Sequence, residues 1–215
     1  MDPLVERLAK LDTCAVSDAL DRLGLPGAVL GIHASSPPAK IAGRIVTVKL
    51  ADANGRTATR HLCTAAIEAA NPGDVIVIEN PRTDAAGWGG ILSAAAVTKG
   101  VAGVVCGGAV RDIDESRELE LPVFARASVP RTARGRIIEE TFNEPIKIGD
   151  VDVSPGDLVL ADGSGVTFLA AAKAEEVLQS AEMIAGREAK MKEAALAGDP
   201  ISEVMGRDYE TMLTR

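Results

Sequence analysis

Residues 87–112 read GWGGILSAAAVTKGVAGVVCGGAVRD, and this stretch decides the fold. GGILSAAAVTKG predicts a helix that starts at a glycine pair and ends at Gly100. VAGVVCGG after it is wholly apolar and predicts a strand buried on both faces, the kind found in parallel sheets. Two glycine-rich segments flank these elements. Gly87-Trp88-Gly89-Gly90 opens the helix, where free N–H groups favour an anion and glycine lets a ligand approach the backbone. Gly107-Gly108-Ala109-Val110 reads as a second turn, which delivers Arg111 and Asp112 at the carboxyl end of a strand. Arg111 offers a fork of donors for a carboxylate or enolate oxygen, and Asp112 a hard oxygen for a divalent cation. The same spacing also fits a plain turn followed by an exposed ion pair of little energetic weight.

Outward from this stretch the pattern continues. NPGDVIVIEN upstream predicts a turn and a short buried strand, RHLCTAAIEAA a helix, and IAGRIVTVKLA a β-branched strand. Residues 2–24 read as helix, with Asp12 or Thr13 capping its second part and Gly24 ending it. Downstream, LPVFAR and GVTFLA read as strands, and IKIGDVDVSPGDLVLAD as two strands around Pro155-Gly156-Asp157. Residues 171–197 read as a charge-laced helix, followed by a tail. Strand and helix alternating with short connections predict an α/β layered domain. With no repeat and no low-complexity linker, residues 1–215 read as one domain, in which 171–215 docks on a neighbouring subunit.

Composition removes several function classes. Only 2% of the 215 residues are aromatic, which argues against base-stacking single-strand binders. Lys and Arg number 23 against 31 Asp and Glu, a net charge of −8 with no basic run, so neither a nucleic-acid nor a membrane partner is expected. No apolar stretch approaches the ~18 residues of a membrane span. The N-terminal segment carries acids and lacks the apolar run of a secretory signal, so a cytoplasmic protein is expected. Cys14, Cys63 and Cys106 share no CxxC spacing and read as buried thiols. His33 and His61 have no metal-ligand context, Asp84, Asp114 and Asp162 sit at turns, and Glu182 and Glu188 fit a solvated helix face. No Walker motif, dinucleotide fingerprint or GxSxG elbow occurs. No glycine-rich loop leads to an acidic strand end, which argues against a methyltransferase.

The segment GGILSAAAVTKGVAGVVCGGAVRDIDE resembles the RraA-like family, which includes class II 4-hydroxy-4-methyl-2-oxoglutarate / 4-carboxy-4-hydroxy-2-oxoadipate aldolases. TCAVSDALDRLGLPG, IAGRIVTV, NPGDVIVIEN and SPGDLVLADGSGVTFL are similar to the same family. AEMIAGREAKMKEAALAGDPISEVMGRDYETML is similar to its longer aldolase-type members. The resemblance implies a swivelling β/β/α fold with an extended C-terminal helix, assembled as a homotrimer or hexamer with sites between subunits. It implies that Arg111 is catalytic and binds the pyruvate moiety, and that Asp112 holds Mg²⁺ or Mn²⁺. The Gly89, Gly90, Ile91 and Leu92 turn would bind the substrate carboxylate through N–H groups, and Glu188 would reach a neighbouring subunit's metal waters. The activity implied is metal-dependent cleavage of a 2-oxo acid, by retro-aldol reaction or by decarboxylation of oxaloacetate, through a pyruvate enolate. The alternative is a regulator that binds ribonuclease E without catalysis.

One position departs from the family's aldolases. Their Asp-x20-Arg-Asp pattern puts an acid where this chain has Gly90, which cannot transfer a proton. Three readings of that loss stay open: a relocated acid (Asp84, Glu79 or Asp114), a role in decarboxylation only, or a different 2-oxo acid.

Overall fold

The computed structural model describes residues 2–36 and 40–206. Two helices open the chain, α1 (Pro3–Leu8) and α2 (Thr13–Leu23). The Asp12 side chain accepts the Ala15 N–H at 2.8 Å, and Gly24 ends α2 in the left-handed conformation. Two short strands follow, β1 (Ala28–Val29) and β2 (His33–Ala34), then the long β3 (Ile41–Asp52). The central run is α3 (Thr64–Ala69), β4 (Val75–Glu79), α4 (Gly90–Lys99), β5 (Gly103–Val110), α5 (Ile113–Glu118) and β6 (Val123–Ser128). After it come β7 (Ile137–Phe142), β8 (Ile146–Ile148), β9 (Val151–Val153), β10 (Leu158–Asp162) and β11 (Gly165–Leu169). A 3₁₀ turn at Ala171–Lys173 leads into α6 (Ala174–Ala197), and α7 (Ile201–Val204) ends the described residues.

The large sheet has the order β1-β11-β10-β3-β4-β5-β6-β2, with β7 added to the outer end of β3. Strands β3, β4, β5 and β6 are parallel neighbours. The expected strand-helix alternation therefore builds a parallel centre, flanked by antiparallel strands. Three apolar clusters hold three layers together. One packs α3 and α4 on the parallel strands through Val46, Ile78, Ala66, Leu92 and Ala96. A second fills the opposite face, where Val77, Val105 and Phe124 meet the β8–β9 hairpin. The third seats α1, α2 and α6 on β10 and β11. This is the α/β, swivelling β/β/α architecture with a long C-terminal helix. Among the described residues, no helix is long and apolar enough to cross a membrane.

Three local readings are corrected. Gly107 and Gly108 lie inside β5 rather than in a turn, and the pairing with β6 shifts register between Cys106 and Ala109. A Cβ at position 108 would meet the Asn80 side chain at 2.7 Å, so glycine serves the close approach of a neighbouring segment. IKIGDVDV is itself a hairpin, so that region holds three strands, not two. Of the thiols, Cys63 and Cys106 are buried but Cys14 is exposed. The end of the expected tail, residues 207–215, lies outside the described residues.

Candidate active site

Residues 82–88 run beside the carboxyl end of β5 almost as an extra strand. Ala109 donates its N–H to the Arg82 carbonyl, Gly87 donates to the Ala109 carbonyl, and Arg111 donates to the Trp88 carbonyl, at 2.8–3.0 Å. Asn80 is buried and fastens the base of this segment, giving its Nδ2 to the carbonyls of Ala85 and Ala109. The chain thereby brings Gly89 and Gly90, at the start of α4, against Arg111 and Asp112, between β5 and α5.

Below this junction lies a buried hydroxyl network. The Trp88 Nε1–H donates to Ser93 Oγ at 2.8 Å, and Ser93 Oγ lies 3.0 Å from Ser116 Oγ. Ser116 in turn reaches the Asp112 carbonyl with its N–H. The network ties the N-termini of α4 and α5 together.

Asp112 takes a left-handed conformation, φ 56°, which is uncommon for a residue with a side chain. Its Oδ2 accepts the Gly90 N–H at 3.1 Å and lies 3.3 Å from Arg111 Nε. Gly90 therefore spends its N–H on Asp112. The N–H groups of Ile91 and Leu92 remain without an acceptor among the described residues, as the first turn of a helix dictates. The remaining edge of the Arg111 guanidinium is likewise uncommitted among the described residues.

Both glycines are required by their neighbours. A Cβ on Gly89 would stand 2.7 Å from Asp112 Oδ2. A Cβ on Gly90 would overlap the carboxylate of Glu115, which occupies the space a side chain at 90 would fill. Glu115 sits three residues after Asp112, on the first turn of α5, and its carboxylate makes no hydrogen bond or ion pair among the described residues. The sequence reading missed it, although the three-residue helical spacing from Asp112 to Glu115 was available.

The substitutes expected for the absent acid are engaged elsewhere. Asp84 pairs with Arg82 and Arg131; hydrogen bonding from Arg82 draws its carboxyl down to about 2. Glu79 accepts the Lys147 N–H, and Asp114 pairs with Arg117. Glu182 binds Arg7, and Glu188 lies on α6, where burial first and then Asp18 and Asp12 raise its carboxyl. Within this chain Glu188 does not line the site. Asp162 does what a turn aspartate does, accepting N–H groups from Thr13 and Ser164. His33 is exposed on β2, whereas His61 joins the wall of the cavity. Burial pushes the Cys63 thiol well up and the Cys106 thiol up to about 11, so neither is a nucleophile near neutral pH.

Gly89, Gly90, Ile91, Leu92, Arg111, Asp112 and Glu115 all face one cavity of about 850 Å³. Its other walls are the 53–64 segment and residues 132–139. No cluster of three or more metal-ligating side chains exists among the described residues. The donor set still suits Mg²⁺ or Mn²⁺, hard cations that bind through one or two carboxylates and keep several waters. The uncommitted Asp112 Oδ1 is such a donor.

Comparison with known proteins gives this arrangement a context. The chain is 29% identical over 210 residues to protein DlpA of Legionella pneumophila, covering 97% of this chain but 34% of that protein. The chain thus spans about a third of that relative's length. It is 33% identical over 132 residues to the 4-hydroxy-4-methyl-2-oxoglutarate aldolase of Thermus thermophilus, covering 61% of this chain and 76% of the relative. The crystal structure of Streptomyces coelicolor RraAS2 is described as an unusual member of the RNase ES inhibitor RraA protein family. It superposes with a TM-score of 0.79 at 27% identity, over 89% of this chain and 97% of that one. The model of the RraA-like family, Aldolase/RraA, matches residues 13–168, including both glycines, Arg111, Asp112 and Glu115, and the chain belongs to that family.

Proposed function

We propose that this chain is a cytoplasmic carbon–carbon lyase that cleaves a 2-oxo acid with the help of Mg²⁺ or Mn²⁺. The observation that carries the reading is the convergence, in one cavity, of two free N–H groups, an uncommitted guanidinium edge and two carboxylates of different environment. The relatives named as aldolases support the same class.

The Ile91 and Leu92 N–H groups, at the positive end of α4, bind the carboxylate of the 2-oxo acid. Asp112 would hold the cation, which when bound draws electron density from the 2-oxo group. Arg111 places its free edge where negative charge develops on the C2 oxygen. Removing such a donor typically costs about 10²–10³ in rate. Glu115 takes the proton of the C4 hydroxyl, the C3–C4 bond breaks, and its electron pair becomes the enolate of pyruvate. The same proton then returns to C3, so no oxidant or second substrate is needed. With oxaloacetate the same enolate forms as CO₂ departs. A trimer or pair of trimers, with the cavity completed by a neighbouring copy, belongs to this reading.

The test is pyruvate release from 4-hydroxy-4-methyl-2-oxoglutarate and from oxaloacetate, with Mg²⁺ and then with chelator. Release that stops on chelation is expected; no pyruvate at high protein concentration contradicts the reading. The likeness to RraAS2 favours a second reading, a ribonuclease E-binding regulator. Capture of ribonuclease E that persists in chelator, from a protein that releases no pyruvate, would support that reading instead.

A further inference from the structure

Segment 53–64 forms one wall of the cavity, and it is held at its two ends. At the far end Arg60 pairs with Glu139, whose side chain is 1% exposed, and the other oxygen of Glu139 accepts the Cys63 N–H at 2.6 Å. At the near end stands a tight turn. Arg56 donates its N–H to the Ala53 carbonyl at 2.7 Å, and Ala53 donates its own to the Arg136 carbonyl on the adjoining wall, also at 2.7 Å. The Arg56 guanidinium reaches back to the carbonyls of Asp52 and Ala53 and pairs with Glu140. The middle of the turn is Asn54, φ 46°, and Gly55, φ 79°. Positive φ at both central positions is the type I′ pattern, which selects Asn-Gly.

The same dipeptide carries a chemistry that the lyase reading does not use. The chain has four asparagines. Asn71 and Asn80 precede proline, whose nitrogen carries no hydrogen to lose. Asn143 precedes Glu144, whose side chain crowds its own nitrogen. Asn54 precedes glycine, and both residues are exposed. Neither the Asn54 side chain nor the Gly55 N–H has a hydrogen bond among the described residues, and a Cβ built at Gly55 would meet nothing within 4 Å. The amide and the nitrogen that can attack it are adjacent, uncommitted and open to solvent.

We propose that Asn54 is a self-modifying site, at which the Gly55 backbone nitrogen converts the side-chain amide to an acid and thereby loosens the cavity wall. The Gly55 nitrogen gives up its proton to solvent base and bonds to Asn54 Cγ. The Cγ–Nδ2 bond breaks, and Nδ2 leaves as ammonia. Water then opens the cyclic imide. Cleavage at Cγ gives aspartate, and cleavage at the backbone carbonyl gives isoaspartate, in which the chain runs through Cγ and is longer by one methylene. The sum is one water taken up and one ammonia released, so no oxidant or second protein is needed. The added methylene falls inside the turn closed by the Arg56 N–H on Ala53, a hydrogen bond the longer loop does not keep. The Arg56 grip on Asp52 and Ala53 goes with it, while the Arg60–Glu139 end stays fixed. The inference stands apart from the lyase reading, since it needs neither ligand, metal nor turnover.

The experiment ages the wild type and Asn54→Gly in mildly alkaline buffer, then reads intact mass, charge isoforms and tryptic peptides. Glycine takes a positive φ without strain and has no amide to cyclise. The wild type is expected to gain an acidic isoform with the mass change of an amide turned to an acid. The change should lie in peptide 50–56 and be labelled by an isoaspartyl methyltransferase, with Asn71, Asn80 and Asn143 intact. Asn54→Gly should form no such isoform. Brief trypsin treatment of the folded protein should cut after Arg56 about tenfold faster in the purified isoform than in fresh protein, because lost hydrogen bonds raise the population of the open segment. No isoform, conversion at another asparagine, or the same isoform in Asn54→Gly overturns the site. If Asn54→Gly fails to fold, the peptide map of the wild type decides alone. Conversion at Asn54 with unchanged cleavage after Arg56 keeps the site and overturns the loosening.

Discussion

Glu115 and Gly90 act as one position shared by two residues. The carboxylate of one fills the space vacated by the side chain of the other. Replacing Glu115 with Gln should cut pyruvate release by roughly 10²–10⁴, the usual worth of a positioned proton-transfer group. Adding Gly90→Asp to Glu115→Ala should restore part of that activity, because the new carboxylate enters the space Glu115 leaves. Gly90→Ala alone should lower turnover, since the methyl displaces the Glu115 carboxylate. Steady-state rates of the four variants check this. Full activity of Glu115→Gln would remove Glu115 from the mechanism. At this scale the sequence was legible for Arg111 and Asp112, which stand together at a strand end. It was not legible for Glu115, because the role depends on two segments meeting in space.

The elements hold the site through buried polar contacts. Ser93 receives the only tryptophan's N–H and joins α4 to α5 through Ser116. Ser93→Ala leaves a buried donor unpaired, which costs about 1–3 kcal/mol. For a chain of this size that lowers Tm by roughly 2–4 °C per kcal/mol, readable by calorimetry. A Tm equal to wild type would show that the network carries no stability. The start of α2 rests on Asp162, whose side chain accepts both the N–H and the Oγ–H of Thr13. Burial raises this carboxyl, but the hydrogen bonds from Thr13 and Ser164 outweigh it, and the net shift is downward from 3.8. A folded-state value below the unfolded one contributes stability that is present above pH ~4 and is lost as pH falls through the folded value. Asp162→Asn should therefore be less stable than wild type at pH 7 and lose less on acidification to pH 3, in urea melts. Equal acid sensitivity of the two proteins would contradict this.

Helices α2, α4 and α6 and the parallel strands were legible because caps, glycine stops and apolar runs are local signals. Gly107-Gly108 misled because the same dipeptide serves a turn or a bulged strand under close packing. Strand β7 left no clear signature either, since the reason for Glu139 lies 79 positions away, at Arg60.

On the scale of the whole molecule, the chain gathers its candidate site at the carboxyl end of a parallel sheet and leaves apolar residues uncovered on its surface. Ile91 is 87% exposed at the mouth of the cavity, and Leu196 and Ile201 are exposed near the end of α6 and in α7. A trimer or hexamer is expected in light scattering, and a stable monomer with full activity would contradict a site shared between copies. In the proposed lyase, Arg111 and Asp112 act together with a divalent cation on one small anion. Oxalate binding with and without Mn²⁺ tests it most directly, followed by quenching of Trp88 fluorescence in wild type, Arg111→Ala and Asp112→Ala. Tight, Mn²⁺-dependent binding is expected in wild type, with a loss of at least tenfold in each variant. Equal binding by all three proteins, or binding indifferent to Mn²⁺, would contradict it.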